Sequence, residues 1–168
     1  MLTSTDNSQK PAAFTLIELV LVMVLLATLL AISAPTLSRS FKGRALEQEA
    51  VRLLAATEYA REEAVSQSLP MTLWIDPVGG TFGVRAKGDN PGDPSREETW
   101  ALPQELRFDL QPAPTDTAGR VIAATFDPEG TLALESLTPL VLVHRTAGRI
   151  TLVQTDDGWG YEIAPASP

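Results

Sequence analysis

The chain of 168 residues contains no cysteine and a single histidine, His144. Without cysteine it can form no disulfide, and it has neither a thiolate nucleophile nor a sulfur ligand for a metal. A lone histidine is far more often packed or exposed than catalytic, and no Gly-x-Ser-x-Gly nucleophile elbow is present. Asp89, Asn90 and Asp93 carry oxygens suited to calcium, but the neighbouring prolines and the missing glutamate favour a solvated loop. We therefore expect no enzymatic activity, no metal site and no cofactor.

Positive charge is also scarce, with 13 lysines and arginines against 21 aspartates and glutamates and a net charge of −8. An acidic chain is a poor match for nucleic acid or anionic lipid headgroups as main partners. Arg145 and Arg149 are basic residues near the C-terminus, but Asp156, Asp157 and Glu162 follow them. The sequence therefore argues against DNA as a partner, because phosphate contacts by clustered cations dominate DNA binding.

One long apolar run is present near the N-terminus, and it contains a single acid. Residues 19–34 include only Thr28 and Ser33 as polar side chains. Together with residues 14–17 they approach the roughly 20 residues that cross a bilayer, so we predict a transmembrane helix over 14–35. Glu18 lies inside this run. An acid within a membrane segment is costly, which marks it as a functional residue that needs a partner.

Residues 13–18 resemble the N-terminus of type IV prepilins and type II secretion pseudopilins. Ala13 is followed by Phe-Thr-Leu-Ile-Glu and then by the apolar run. The family usually has glycine before the cut, and alanine is similarly small. The resemblance implies a leader over residues 1–13, cut between Ala13 and Phe14 by a prepilin peptidase that then N-methylates Phe14. Glu18 would neutralise the Phe14 amine of a neighbouring subunit, which fixes the stagger between subunits.

The same resemblance bears on the kink and the topology of the helix. Pro35 matches the proline that bends the pilin helix, because proline removes one backbone hydrogen bond. Arg39, Lys42 and Arg44 follow the apolar run, and the positive-inside rule alone would keep the remainder of the chain cytoplasmic. The resemblance instead implies a single-pass protein of the inner membrane with its C-terminal domain in the periplasm.

Beyond the apolar run, residues 36–69 are predicted to extend the helix in amphipathic form. One stripe recurs at spacings of three and four residues and should face the sheet. It comprises Leu46, Ala50, Leu53, Thr57, Ala60 and Ala64. The charged residues off the stripe indicate a solvated face, and Pro70 should end the helical stretch.

Residues 70–168 alternate in the manner of short strands with frequent turns. The predicted strands are 71–76, 81–86, 98–102, 106–110, 121–126, 132–134, 140–144, 150–154 and 161–163. Turns are predicted at 77–80 and 156–158, where glycine follows proline or aspartate. The fold class is therefore α+β: a long N-terminal membrane-spanning helix packed on a C-terminal antiparallel β-sheet or small β-sandwich, as in pilins.

A second, looser motif indicates which branch of the prepilin-like proteins the chain resembles. Phe126, Pro128 and Gly130 form a Phe-x-Pro-x-Gly turn, and Gly148 and Arg149 open a Gly-Arg-Ile strand. This pattern resembles the C-terminal domain of the H-type minor pseudopilins, the GspH family. Physically, Pro128 and Gly130 make a tight turn and Phe126 belongs to the core beneath it.

The resemblance implies a minor pseudopilin of a type II secretion pseudopilus, which serves protein secretion across the outer membrane. Its partners would be other minor and major pseudopilins, the prepilin peptidase and methyltransferase, and the inner membrane. The alternative is a FimT-like minor pilin of a type IV pilus, involved in pilus assembly or DNA uptake. A signal-anchored hydrolase is the alternative from another class, and the absence of a plausible nucleophile–base pair argues against it.

Overall fold

A computed structural model describes residues 15–89, 91, 93 and 96–165, with side chains omitted for residues 32–42. The leader, Ala13 and Phe14 lie outside the described residues. Over the described ranges the chain forms helix α1, Leu16–Gln67, followed by eight strands. The strands are β1 Met71–Asp76, β2 Thr81–Ala86, β3 Glu97–Ala101, β4 Leu106–Asp109, β5 Val121–Phe126, β6 Leu140–His144, β7 Gly148–Gln154 and β8 Tyr161–Ile163. Contacts within the chain define two units, Met1–Ser38 and Arg39–Pro168, and we call the second unit the body.

The described part of the first unit is helical from Leu16 onward, and its side chains from residue 15 to residue 31 are all exposed. Within the part of the chain that the structure describes, no helix combines the length and apolarity required to cross a membrane. The transmembrane segment over residues 14–35 therefore stays a prediction. Pro35 lies within α1, and its kink also stays a prediction.

In the body, the last turns of α1 place one stripe against the core. The predicted stripe is buried at all six positions, Leu46, Ala50, Leu53, Thr57, Ala60 and Ala64. Four of the buried helix residues are alanines once Ala56 is included, so the helix presents little side-chain bulk to the strands. Thr57 satisfies its hydroxyl by donating to the Leu54 carbonyl at 2.7 Å, which makes its burial inexpensive.

The helix ends with a Schellman motif built around Ser68. Ser68 adopts a φ of 52°, its amide donates to the Val65 carbonyl, and the Leu69 amide donates to the Ala64 carbonyl. This pair of bonds satisfies carbonyls that the last helical turn would otherwise leave free. The chain then reaches Pro70 and enters β1, as predicted.

The strands form two four-stranded antiparallel sheets. The first sheet has the order β3-β2-β1-β5 and the second has the order β4-β6-β7-β8. Five strands, β1, β2, β5, β6 and β8, have the bounds that the alternation predicts. The predicted turn at 77–80 joins β1 to β2, where Asp76 Oδ1 accepts hydrogen bonds from the Val78 and Gly79 amides.

Four predicted strands differ from those observed. The strand predicted at 132–134 was wrong, because only Leu132 forms a bridge, to Phe126, and the chain then turns at Ala133–Ser136. Leu134 is fully exposed there, so its apolar side chain does not belong to the buried face of a strand. The other three differences are small: β3 begins one residue earlier and ends one earlier, β4 ends one earlier, and β7 begins at Gly148.

One hydrophobic cluster joins the helix and both sheets. Along β1 and β2, one face of the first sheet points into this cluster through Met71, Leu73, Ile75, Phe82 and Val84. The second sheet adds Leu140, Leu142 and Leu152 among others. Phe82 and Phe108 meet edge to face with ring centroids 5.9 Å apart, which links the two sheets directly.

Candidate functional sites: the N-terminal motif and the body motif

Glu18 lies in the first turn of α1, three residues after the residue that caps the helix. The Glu18 amide donates to Thr15 Oγ1 at 3.3 Å, and the Leu19 amide donates to the Thr15 carbonyl at 3.2 Å. Thr15 is therefore the N-cap, and Thr15-x-x-Glu18 has the residue pattern of a capping box. The helix macrodipole favours a negative charge in this first turn, so the position suits a carboxylate.

The surface around Glu18 is apolar and uncovered in the isolated chain. Twelve large apolar side chains between Leu16 and Leu30 are exposed, from 45% for Val22 to 83% for Leu16. Soluble monomers rarely expose contiguous apolar patches of this kind, which mark sites of membrane or protein contact. Glu18 thus lies on a surface that needs an apolar partner, while its own amide is already satisfied by Thr15.

The body motif forms the predicted turn after β5. Phe126 is fully buried, and the Gly130 amide donates to the Asp127 carbonyl at 2.8 Å. The Asp127 amide donates to the Thr131 carbonyl at 2.9 Å, which closes the turn around Pro128 and Glu129. Gly130 has a φ of 81°, a conformation that favours glycine.

This turn packs against the helix and against the loop between β7 and β8. A Cβ on Gly130 would lie 3.0 Å from Val65 Cγ2, 3.7 Å from Arg61 Cγ and 3.9 Å from Trp159 Cζ3. The Leu132 amide donates to the Gly158 carbonyl at 3.1 Å, which ties the two loops together. The glycine is therefore required twice, for its backbone conformation and for this close approach.

Gly148 and Arg149 lie in a different place, at the turn between β6 and β7. Gly148 has a φ of 110° and pairs with His144 across the ladder. His144 is buried, and its Nδ1 accepts hydrogen bonds from the Thr146 and Ala147 amides at 3.1 and 3.0 Å. His144 thus helps to close this turn through its Nδ1 atom.

The structure consequently separates the two halves of the body motif. The Phe126–Gly130 turn contacts the β7–β8 loop, whereas Gly148 and Arg149 lie at the β6–β7 turn, the opposite end of β7. One small molecule could not contact both halves, because a seven-residue strand is about 20 Å long. The residues of the motif therefore form two separate turns of the fold.

The two arginines considered for DNA binding are both exposed. Arg145 lies in the β6–β7 turn, and Arg149 pairs with Val143 on the neighbouring strand. Among the described residues, no group of three or more histidines and carboxylates is arranged to hold a metal ion. Asp89 instead forms an ion pair with Arg96 at 3.0 Å, and Asn90 lies outside the described residues.

Sequence reasoning missed a buried cluster of four charges, which we call the ionic quartet: Arg85, Glu97, Asp116 and Arg120. Each of these side chains is at least 90% buried. Arg85 contacts Glu97 at 3.1 Å and Asp116 at 3.0 Å through its two Nη atoms. Arg120 donates to both Glu97 oxygens at 3.0 Å and to Asp116 Oδ2 at 2.9 Å. Two positive and two negative charges therefore balance inside the body.

The quartet lies on the outer face of the first sheet, the face that points away from the hydrophobic cluster. The Arg120 Cζ atom lies 4.0 Å from the centre of the Trp74 ring, a cation–π contact. Trp74 in turn covers Gly83, where a Cβ would lie 2.6 Å from Trp74 Cζ2. The residues before β5 thus cover the outer face, which explains why β1 is buried on both faces.

The hydrogen bonds of the quartet shift the pKa values of Asp116 and Arg120 in the direction that favours their charged forms. Burial alone would raise the pKa of Asp116, but hydrogen bonds from Arg120 and from the Ala118 amide lower it below its usual value. Burial likewise opposes the charged form of Arg120, yet its bonds to Glu97 and Asp116 raise the Arg120 pKa. Both residues therefore remain charged within the fold.

The geometry defines a class: a pilin-like subunit, in which one helix packs on antiparallel sheets and an apolar capped segment carries a first-turn glutamate. The chain belongs to the family described as Type II transport protein GspH, whose model matches residues 49–166. The model of the prokaryotic N-terminal methylation motif matches residues 9–34. Both resemblances inferred from the sequence are confirmed, and the chain is a minor pseudopilin of the type II secretion class.

Solved structures show the same fold. The minor pseudopilin EpsH from the type 2 secretion system of Vibrio cholerae has a TM-score of 0.52 and 12% identity, covering 71% of this chain and 95% of its own. The type IV minor pilin FimU of Pseudomonas aeruginosa has a TM-score of 0.51 in two crystal forms, with 21% and 22% identity. These alignments cover 71% of this chain and 93% or 88% of FimU. No curated protein sequence matches the chain.

The predicted fold class, α+β with an N-terminal helix and antiparallel sheets, is confirmed by these similarities. The methylation motif indicates a prepilin-like N-terminal anchor in the inner membrane. Membership of a pseudopilin family also implies assembly with other pseudopilins.

Proposed function

We propose that this pseudopilin is a non-enzymatic structural subunit, held by a single membrane-spanning segment over residues 14–35, with its body in the periplasm. The observation that carries the proposal is the presence in one chain of the methylation motif over residues 9–34 and the GspH match over residues 49–166. The first supplies a processed apolar anchor and the second supplies a folded body.

In this proposal Glu18 is the assembly residue. Cleavage after Ala13 creates an amine at Phe14, and methylation keeps that amine basic. The Glu18 carboxylate of one subunit pairs with the Phe14 amine of the next, which removes the cost of two charges in an apolar bundle. Thr15 caps the helix through the Glu18 amide, and this hydrogen bond does not use the Glu18 carboxylate.

Processing and assembly are tested separately. N-terminal mass spectrometry of protein from membranes should give a chain that starts at Phe14 with one added methyl group. Glu18→Ala should be inserted and cut normally, because the apolar run and the cleavage site are unchanged, but it should no longer co-purify with other pseudopilins. Thr28→Val, in the same apolar run, is the matched control and should co-purify as the unaltered chain does.

Two outcomes would contradict the proposal. A mature chain that still begins at Met1 would remove the processing step. Full recovery of the complex with Glu18→Ala would mean that this carboxylate does not serve assembly.

The alternative named from the sequence, a minor pilin of a type IV pilus, is tested through DNA binding. If it took up DNA, Arg145 and Arg149 would be the exposed cations near its C-terminal strands. We expect weak duplex binding at about 150 mM salt, since two arginines beside Asp156 and Asp157 supply few phosphate contacts. Binding tighter than roughly 1 μM in a gel shift, lost on Arg145→Ala with Arg149→Ala, would favour the pilin.

A further inference from the structure

A cavity of about 250 Å³ lies on the outer face of the first sheet, beside the ionic quartet. One liquid water occupies roughly 30 Å³, so the cavity has room for a small organic group. Its floor contains Thr72 and Thr125, its wall includes Arg85, and Lys87 and Glu135 are half-exposed beside them. We call it the outer cavity.

The floor is a row of polar side chains aligned across three strands. Thr72 on β1 is paired with Arg85 on β2 and with Thr125 on β5. All three residues are at least 95% buried. Among the described residues, the Arg85 Nε atom is buried without a hydrogen-bond partner.

Buried polar groups without partners are costly, and in native structures they usually await water or a ligand. Here the unpartnered atom is Arg85 Nε, and Arg85, Thr72 and Thr125 line one cavity. The other Arg85 nitrogens are engaged with Glu97 and Asp116, which holds the guanidinium in place. The site is therefore preorganised by the quartet rather than by flexible surface residues.

The entrance is controlled by one weak ion pair. Lys87 Nζ lies 3.5 Å from Glu135 Oε1, and both side chains are more than half exposed. An exposed pair of this kind contributes at most about 1 kcal/mol, so it opens readily. The lining then offers the Lys87 ammonium and the unpartnered Nε–H of Arg85, with Ile122 and Pro114 as apolar surface.

We propose that the outer cavity binds a carboxylate group carried on a short apolar stem. The hydroxyls of Thr72 and Thr125 donate to its oxygens, Lys87 leaves Glu135 to pair with it, and the Arg85 Nε–H donates a further hydrogen bond. The apolar stem contacts Ile122 and Pro114. The carboxylate belongs either to a free small acid or to the C-terminus of a polypeptide, and this site is separate from Glu18 and from the body motif.

The test uses the full chain in detergent micelles, labelled with nitrogen-15, titrated with sodium propionate. Propionamide, which has the same shape without the charge, and sodium chloride at equal ionic strength are the controls. Propionate should shift the Arg85 Nε–H resonance and the Thr72 and Thr125 amides with a dissociation constant of about 1 mM, in the range of a small fragment. The two controls should leave these resonances in place.

Variants at the entrance should change the affinity in opposite directions. Glu135→Gln removes the competing carboxylate and should tighten propionate binding about threefold, whereas Lys87→Gln should weaken it about threefold. Both residues are exposed, so neither change threatens the fold. Thr72→Val with Thr125→Val should abolish binding, and the exposed Thr99→Val on β3 should not affect it.

A titration with a short peptide identifies the source of the carboxylate. An N-acetylated Gly-Ile-Ala peptide with a free C-terminus that binds more tightly than propionate, while its amidated form does not bind, indicates a polypeptide. Binding by propionate alone indicates a free acid. The proposal is overturned if propionate and propionamide act alike, if neither binds, or if Glu135→Gln fails to tighten binding.

Discussion

Glu18 and the ionic quartet both place carboxylates beside apolar surface, but their surroundings differ. In the quartet, Glu97 and Asp116 receive hydrogen bonds from two arginines of the same chain, and all four side chains are buried. Around Glu18, twelve large apolar side chains are exposed, and Thr15 bonds to the Glu18 amide rather than to its carboxylate. The body therefore balances its charges internally, whereas the start of the helix leaves an apolar surface uncovered.

The strongest test of this contrast replaces one acid of each region, Asp116 or Glu18, with alanine in separate variants. Asp116→Ala leaves Arg120 and Arg85 with an uncompensated charge, which should cost the body roughly 3–5 kcal/mol in the free energy of unfolding. Glu18→Ala should leave the unfolding of the body unchanged and affect assembly alone. Urea unfolding followed by circular dichroism measures both, with the exposed Asp109→Ala on β4 as control. If Asp116→Ala costs no more than Asp109→Ala, the quartet does not stabilise the body.

A second test asks whether the turn at Gly130 stabilises the body through its contact with the helix. Gly130→Ala should destabilise the body by about 2 kcal/mol, because alanine is strained at a φ of 81° and its Cβ would press on Val65. Gly80→Ala is the matched control: its φ is 64° and no atom lies within 4 Å of its Cβ position. The difference between the two unfolding energies isolates the contact with the helix, and equal losses would refute it.

The quartet should also be visible in the pH dependence of stability. Because the folded pKa of Asp116 is lowered, its contribution is present above the unfolded value of about 3.9 and is lost as pH falls through the folded value. Asp116→Asn removes this titration, so its stability should fall less steeply below about pH 4. Thermal unfolding of both proteins between about pH 2 and pH 6 measures the two slopes. Identical acid limbs would show that Asp116 does not titrate as this geometry requires.

The smallest effect is expected at the end of the helix, which is closed internally, unlike its start. Ser68→Gly should raise the free energy of unfolding by about 1 kcal/mol, because Ser68 has a φ of 52° that glycine adopts without penalty. Ser66→Gly, in the last helical turn, should lower it by about 0.5–1 kcal/mol. Thermal unfolding distinguishes the two. A loss of stability with Ser68→Gly would contradict the Schellman assignment.

The parts of the fold that depend on local pattern could be predicted. Alternation identified β1, β2, β5, β6 and β8 with their observed bounds, and the helical stripe was buried as expected. Segments without a regular period could not be interpreted in the same way. The apolar pair Leu132 and Leu134 suggested a strand, yet Leu134 faces solvent in a turn, because an apolar residue alone does not specify burial.

The quartet illustrates why the rest was out of reach. Arg85 and Glu97 meet only because β2 pairs with β3 in one register, and Asp116 and Arg120 join them from an irregular segment. The spacing of these residues in the sequence does not predict such a contact, since their proximity depends on the order of the strands in the sheet. The cap at Thr15 is different, because the spacing Thr15-x-x-Glu18 is a local pattern that can be read from the sequence alone.

The three tryptophans have a practical consequence for studying this chain in solution. Trp74 is enclosed under Arg120, Trp100 is half-buried beside Phe82 and Tyr59, and Trp159 is 47% exposed beside Gly130. Their emission therefore samples three environments without any added label. Trp74 reports on the quartet, whereas Trp159 responds to whatever approaches the outer side of the helix near Val65. A Trp159→Phe chain separates these signals, so a spectrometer can follow folding and association of the same molecule independently.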